Sequence, residues 1–172
     1  MGDSISVPFR GSVEAGRQLQ GLSAELRRVG HDGLLRKMRR NIRGAASPVV
    51  ADLRSAVMSV QVTGSRGGHA RPDTSTGLRR RIAGAITTSV TAKRVRILVS
   101  AGRVGPYGAV LPKYLDGTLP GYQRWRVRVF GRDVWVTQQG QAWWFVTING
   151  DVVIIRRAVF AAMDETAREL KG

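Results

Sequence analysis

The sequence lacks cysteine among its 172 residues, which excludes disulfide bonds and zinc–thiolate sites and is typical of a protein made in a reducing compartment. Histidine is nearly absent as well: the two residues, His31 and His69, have no neighbours that resemble a catalytic triad. The longest apolar run, 142–148, is far shorter than a membrane span, and residues 1–13 have no signal-peptide core. We therefore expect a chain without membrane spans that folds around an ordinary hydrophobic core.

Acidic residues are scarce. There are 12 of them against 28 basic residues, and the formal net charge is +16. This imbalance predicts a polyanionic partner, with nucleic acid as the first candidate. Because 24 of the basic residues are Arg and 4 are Lys, the codon bias of a GC-rich genome is an alternative explanation for the preference for Arg. Codon bias does not explain why acids are few, so both interpretations stay open.

The scattered acids also bear on catalysis and metal binding. Asp164, Glu165 and Glu169 cluster near the C-terminus, where Asp164 and Arg168 have helical i, i+4 spacing, so the group is typical of a solvated helix face. The glycines of 102–108 fit no dinucleotide or phosphate-loop motif. We expect that the protein is not an enzyme and that it has neither a metal site nor a cofactor.

The N-terminal half predicts helices. Ser12 can cap a helix whose apolar residues recur every three or four positions up to Val29, and 30–33 then breaks it. A second apolar stripe runs from Leu34 to Val60 and keeps its phase across Pro48. It predicts either one kinked helix or two helices, the second capped by Ser47.

The rest of the chain predicts a mixture of loops, strands and helix. Residues 63–77 have too little apolar surface to order themselves, which predicts a mobile loop. The following elements are then a helical turn with Leu78 and Ile82, strands at 84–91 and 94–101, a helical piece at 107–115, hairpin arms at 124–130 and 133–138, and a last helix at 151–170. The expected fold is one α+β domain over 1–172, in which N-terminal helices and a C-terminal helix pack on a small, mostly antiparallel sheet.

Arginines alternate with apolar residues along the first arm of the predicted hairpin. Arg124, Arg126 and Arg128 share one strand face, and we expect Trp125 to pack across the hairpin with Trp135 on the other. Trp143 and Trp144 point opposite ways if their segment is extended, and we then expect one of them to be exposed to a partner unless the chain buries both sides of the segment. Asp116, Gly117 and Thr118 form a strong turn signal.

Several segments occur in an order that resembles a known family: TGLRRRIAGAI, GPYGAVLPKYLDGT, VFGRDVWV, QGQAWWF and RRAVFAAMDETAREL. The chain resembles the head-to-tail joining, or neck and tail-completion, proteins of long-tailed bacteriophages and prophages over about residues 12–170. The most specific segments are 76–78, 107–118 and 130–145, none of them a catalytic signature.

The resemblance implies a structural virion protein made in the host cytoplasm. Such proteins form rings, typically six-fold, at the head–tail junction, where they contact a stopper or adaptor and the tail terminator or tube while DNA passes through. The DNA-facing candidates are then Arg79, Arg80, Arg81, Arg124, Arg126 and Arg128, and the subunit-interface candidates are Tyr107, Tyr114, Trp143, Trp144 and Phe145. Asp116, Gly117 and Thr118 are structural candidates. A tail terminator, another minor tail ring protein and a stand-alone nucleic-acid-binding protein are the alternatives.

Overall fold

The computed structural model describes residues 12–61, 76–92, 94–105, 108–128 and 135–171, which form helices and short strands. The elements in chain order are α1 (Ser12–Arg28), α2 (Asp32–Ala45), α3 (Ser47–Ser59), α4 (Thr76–Ala85), β1 (Ile86–Val90), β2 (Val95–Val99), α5 (Ala101–Val104), α6 (Leu111–Asp116), β3 (Arg124–Arg128), β4 (Trp135–Gln139) and α7 (Trp144–Lys171). This order confirms the predicted α+β class. The described strands form two antiparallel pairs, β1–β2 and β3–β4, instead of the one small sheet that we expected. Of the predicted mobile loop at 63–77, residues 63–75 lie outside the described residues, whereas residues 76 and 77 belong to α4.

The apolar stripes of the N-terminal half lie on the buried faces of their helices. Leu19 and Leu26 of α1 are buried, as are Met38 and Ile42 of α2. The helix is interrupted between α2 and α3 at Ala46, so two helices are observed instead of one kinked helix, and Ser47 is the first residue of α3 and not the residue that precedes it. Pro48 is tolerated in the first turn of α3 because its missing N–H has no intrahelical acceptor there.

The described residues divide into two compact units. The first unit comprises 51–61, 76–86, 99–105, 108–128 and 135–149, and the second comprises 12–50, 87–92, 94–98 and 150–171. In the second unit, the ammonium group of Lys37 on α2 donates to Glu169 on α7 and lies 3.6 Å from a carboxylate oxygen of Glu165. The hydrogen bond to Glu169 raises the pKa of Lys37 above its ordinary value. Two residues of the predicted acidic cluster, Glu165 and Glu169, therefore contact α2 while their side chains stay 49% and 35% exposed.

Helix α7 begins seven residues earlier than predicted, at Trp144 instead of 151. The apolar residues 152–155 lie inside the helix, where Ile155 is buried while Val153 and Ile154 are exposed. Val159 and Met163 continue the buried face. The residue that caps the start of this helix is not part of the segment but belongs to α6.

Two arginines in the first unit join α3 to α4. Arg79 on α4 donates from Nη1 to the carbonyl oxygens of Met58 at 2.9 Å and Val60 at 2.7 Å, at the end of α3. Arg54 on α3 donates to the carbonyl oxygens of Ala83 and Ile86, both at 3.1 Å, at the end of α4. Each guanidinium thus satisfies carbonyls at the negative end of the other helix, where a cation is favoured.

This position corrects the prediction for Arg79. Its side chain is only 7% exposed and is engaged by backbone carbonyls, so it is not available to face DNA. Arg79 precedes the buried Ile82 by three residues, which places both on the same face of α4. Its neighbours Arg80 and Arg81 are exposed.

Replacing Arg79 by methionine removes both bonds to the end of α3, and we expect it to lower the free energy of unfolding by about 2 kcal/mol. The matched change Arg80→Met also removes one positive charge, but from the exposed face of α4, so we expect the free energy of unfolding to change by less than about 0.5 kcal/mol. Urea unfolding followed by far-ultraviolet circular dichroism measures both. Equal losses for the two variants would contradict the capping role.

Candidate interaction surface on the arginine hairpin

The short helix α6 ends in a tight turn that orients Asp116. Gly117 takes the left-handed conformation with φ 66°, and its N–H donates to the carbonyl oxygen of Lys113 at 2.9 Å. A glycine adopts this conformation without the steric cost of a Cβ. The turn ends α6 immediately after Asp116.

The Asp116 carboxylate is 1% exposed and lies at the start of α7. Its Oδ1 accepts hydrogen bonds from the backbone N–H groups of Trp143 at 3.0 Å and Trp144 at 2.7 Å, while the Thr118 hydroxyl donates to Oδ2. A helix begins with N–H groups that lack intrahelical acceptors, and a negative charge is favoured there. Asp116 therefore caps α7 from a distant part of the chain, and these bonds offset the cost of burying its charge.

A close contact between two glycines holds this cap in place. A Cβ on Gly140 would overlap the carbonyl oxygen of Tyr114 and lie 2.5 Å from the Cα of Gly117. The crossing is reinforced by hydrogen bonds from the N–H of Gln141 to the Leu115 carbonyl at 3.0 Å and from the N–H of Gly140 to the Gln123 carbonyl at 3.1 Å. The turn after α6 and the segment before α7 are thus held together by backbone contacts.

The cap changes the position expected for the tryptophan pair. Trp143 and Trp144 are 2% and 0% exposed, and their rings meet edge to face with centroids 5.4 Å apart. The expectation that one of them is exposed to a partner is wrong, because the segment begins a helix instead of running extended. Successive helical residues are only about 100° apart, so both rings can face inward. Of this predicted interface group, Phe145 is half-buried.

The register of the hairpin separates the other two tryptophans. Trp125 lies opposite Gln138, whereas Trp135 lies opposite Arg128. Because alternate residues of a strand share a face, Trp135 belongs to the arginine face and not to the face of Trp125. The expected packing of Trp125 with Trp135 is therefore wrong. Trp135 is 52% exposed, and the guanidinium of Arg126 lies 5.7 Å from its ring centroid.

A groove of about 570 Å³ lies beside this hairpin. Its lining residues come from α6 and the preceding turn on one side and from β3 and β4 on the other: Val110, Leu111, Tyr114, Arg124, Trp125, Arg126 and Thr137. The Tyr114 ring contacts Trp125 at 5.8 Å and Tyr122 at 4.9 Å between centroids. Tyr114, an interface candidate, lines the same groove as Arg124 and Arg126, two of the DNA-facing candidates.

The remaining candidates lie elsewhere or outside the described residues. Arg81 is exposed on α4, and its Nε donates to the carbonyl oxygen of Gly77 at 3.2 Å. The predictions for Tyr107 and for the Arg128 side chain lie outside the described part of the structure. No pattern in the sequence predicted the groove, although Leu111 and Tyr114 share a face of α6 by their i, i+3 spacing.

No metal-binding group and no membrane helix occur in the described residues. Within 12–61, 76–92, 94–105, 108–128 and 135–171, no three His, Cys, Asp or Glu residues come together as metal ligands. No helix in the same ranges is both long and apolar enough to cross a bilayer. In comparisons with known proteins, no family model, no curated protein and no solved structure matches this chain.

The cap predicts a graded response to substitution at Asp116. Asp116→Asn keeps an acceptor oxygen but removes the charge, so we expect a loss of about 1 kcal/mol in the free energy of unfolding. Asp116→Ala leaves two buried N–H groups without their acceptor, so we expect a loss of about 3 kcal/mol. Asp52, exposed on α3, provides the control: Asp52→Ala is expected to change stability by less than about 0.5 kcal/mol. Urea unfolding would contradict the capping role if Asp116→Ala cost no more than this control.

Proposed function

We propose that this chain is a structural virion protein of the head-to-tail connector of a long-tailed bacteriophage or prophage. It works as a homo-oligomeric ring, six-fold in symmetry, that joins the capsid connector to the tail tube around the DNA channel. Its neighbours are a stopper or adaptor protein on one side and the tail terminator or tail tube on the other. The same arrangement serves a tail terminator or another minor tail ring, which differs only in the level that the ring occupies.

The observation that carries the proposal is the meeting of the resembling segments within the first unit. Asp116, from the segment 107–118, accepts hydrogen bonds from the backbone N–H groups of Trp143 and Trp144 at the start of α7, from the segment 130–145, and the Thr118 hydroxyl donates to Asp116. The segments therefore form one structural joint. This supports the resemblance because motifs that are each weak alone are expected to be spatially connected when they belong to one ancestral fold.

The distribution of charge also supports a position next to DNA. Arg80 and Arg81 are exposed on α4, and Arg124 and Arg126 are exposed on β3. Exposed guanidinium groups attract phosphate without reading sequence, as a subunit lining a DNA passage requires. A ring is built from heterologous contacts between unlike faces of one subunit, so it needs more than one contact surface per subunit.

The symmetry of the chain's density in assembled particles tests the proposal. We expect cryo-electron microscopy of the particles to show this fold as a ring of six copies at the head–tail junction. Subunits of such rings can be monomeric until they meet a neighbour, so the mass in solution is not the relevant readout. Absence of the chain from the particles, or its presence as isolated single copies, would overturn the proposal.

A second candidate function is that of a stand-alone nucleic-acid-binding protein, favoured by the net charge of +16 and the exposed arginines. A protein of this kind binds duplex DNA tightly as an isolated chain. If it neutralised six or more phosphates, its affinity would fall by about a thousand-fold or more between roughly 50 and 200 mM salt.

For a connector subunit we expect the isolated chain to bind duplex DNA weakly, because a ring brings many copies of each arginine together only after assembly. Fluorescence anisotropy with a labelled duplex, measured across a salt series, separates the two functions. Tight binding with a steep salt dependence in the monomer would favour the stand-alone function.

A further inference from the structure

Both faces of β3 contribute to the groove beside the hairpin, which combines an apolar floor that includes Trp125 with a cationic rim of Arg124 and Arg126. The apolar part comes from Val110, Leu111 and the rings of Tyr114 and Trp125, all of them half-buried. Such a floor binds side chains that bury hydrocarbon, and a volume of about 570 Å³ is within the range of protein ligand sites. The floor is thus suited to one or two large apolar side chains.

The rim carries positive charge that no acidic side chain neutralises within the described residues. Arg124 and Arg126 are exposed, and the ion pairs of the described residues are Arg28 with Glu25 and Lys37 with Glu165 and Glu169. The contact with the Trp135 ring orients the Arg126 guanidinium, because a cation is attracted to an aromatic face. The rim is therefore suited to carboxylates, which guanidinium groups bind with charge-assisted hydrogen bonds.

We propose that this groove binds an acidic segment of a partner protein. One or two large apolar side chains of the segment occupy the floor formed by Leu111, Tyr114 and Trp125, while flanking Asp or Glu residues pair with Arg124 and Arg126. The interaction follows the rule that buried apolar anchors supply affinity and complementary charges supply orientation and specificity.

Charge and ring geometry distinguish this partner from two others. A second copy of the chain carries the same net charge of +16, so it offers little negative surface to the rim. A single-stranded nucleic acid needs open aromatic faces for stacking. Here the Tyr114 and Trp125 rings are tilted by 47° to each other, and one face of Trp135 is approached by Arg126.

The inference deepens the proposed function because it names the chemistry of a neighbouring virion protein in the connector. It rests on the proposed function only for the claim that the partner is a neighbouring protein of the connector. Binding to the isolated full-length chain tests the groove by itself, so failure of the groove and failure of the connector role are distinguishable.

The experiment uses three fluorescein-labelled peptides and fluorescence anisotropy. The first peptide has a central Leu-Phe pair flanked by Asp and Glu, the second has Ser-Ser in place of the pair, and the third has Lys in place of the acids. We expect only the first peptide to bind in the micromolar range, with at least about tenfold weaker binding of the second because it lacks the anchor.

Two double variants with equal charge change locate the binding. Arg124→Glu with Arg126→Glu reverses the rim, and we expect it to weaken binding of the first peptide by about tenfold or more. Arg36→Glu with Arg40→Glu reverses two exposed arginines of α2, which line no part of the groove, so we expect less than about a threefold change. Far-ultraviolet circular dichroism checks that both variants fold.

Three results would overturn the proposal. Equal weakening by the two double variants would show that only the bulk charge attracts the peptide. Equal binding of the Leu-Phe and Ser-Ser peptides would show that the floor holds no anchor. If the rim variant lost affinity for duplex or single-stranded DNA while keeping its affinity for the first peptide, the arginines would belong to a nucleic-acid contact.

Discussion

The hydrogen bonds between the Asp116 carboxylate and the start of α7 hold together the part of the chain that carries the candidate surface. They join residues 27 and 28 positions apart in the sequence. Without this acceptor, the N–H groups of Trp143 and Trp144 would be buried and unsatisfied, a state that proteins rarely tolerate. The cap also fixes the end of α6, which places Leu111 and Tyr114 opposite β3. The shape of the groove thus depends on a carboxylate that does not line it.

The arginines show how one residue type takes several roles in the same small protein. Arg54 and Arg79 satisfy carbonyls at helix ends, and Arg126 contacts an aromatic ring. A guanidinium that is held by buried carbonyls keeps its charge but has fewer N–H groups left to donate to a partner. The net charge therefore overstates the number of guanidinium groups that are free to meet a partner, and the exposed positions decide where a polyanion or an acidic segment can bind.

Local patterns in the sequence predicted the helices and the hairpin because apolar periodicity directly reflects which face is buried. The prediction that Arg79 faces DNA was wrong, although the spacing of Arg79 from Ile82 already indicated that it lies on the buried face of α4. The separation of Trp125 from Trp135 was also predictable: a hairpin turning at 131–132 pairs odd with even positions, so two odd positions cannot face each other. The start of α7 was not predictable in this way, because its capping residue belongs to another helix. The groove was not predictable for the same reason: α6 and the two strands that line it meet only in the folded chain.

The edge-to-face pair formed by Trp143 and Trp144 gives the molecule an optical signature. Two indole rings held at 82° with centroids 5.4 Å apart form a chiral arrangement that contributes to the near-ultraviolet circular dichroism spectrum. Such signals vanish when fixed side-chain packing is lost, even where helices persist. The exposed Trp135 reports instead through its fluorescence emission, which responds to changes in its contact with water. The four tryptophans therefore let the interior and the hairpin be followed separately in one unlabelled sample.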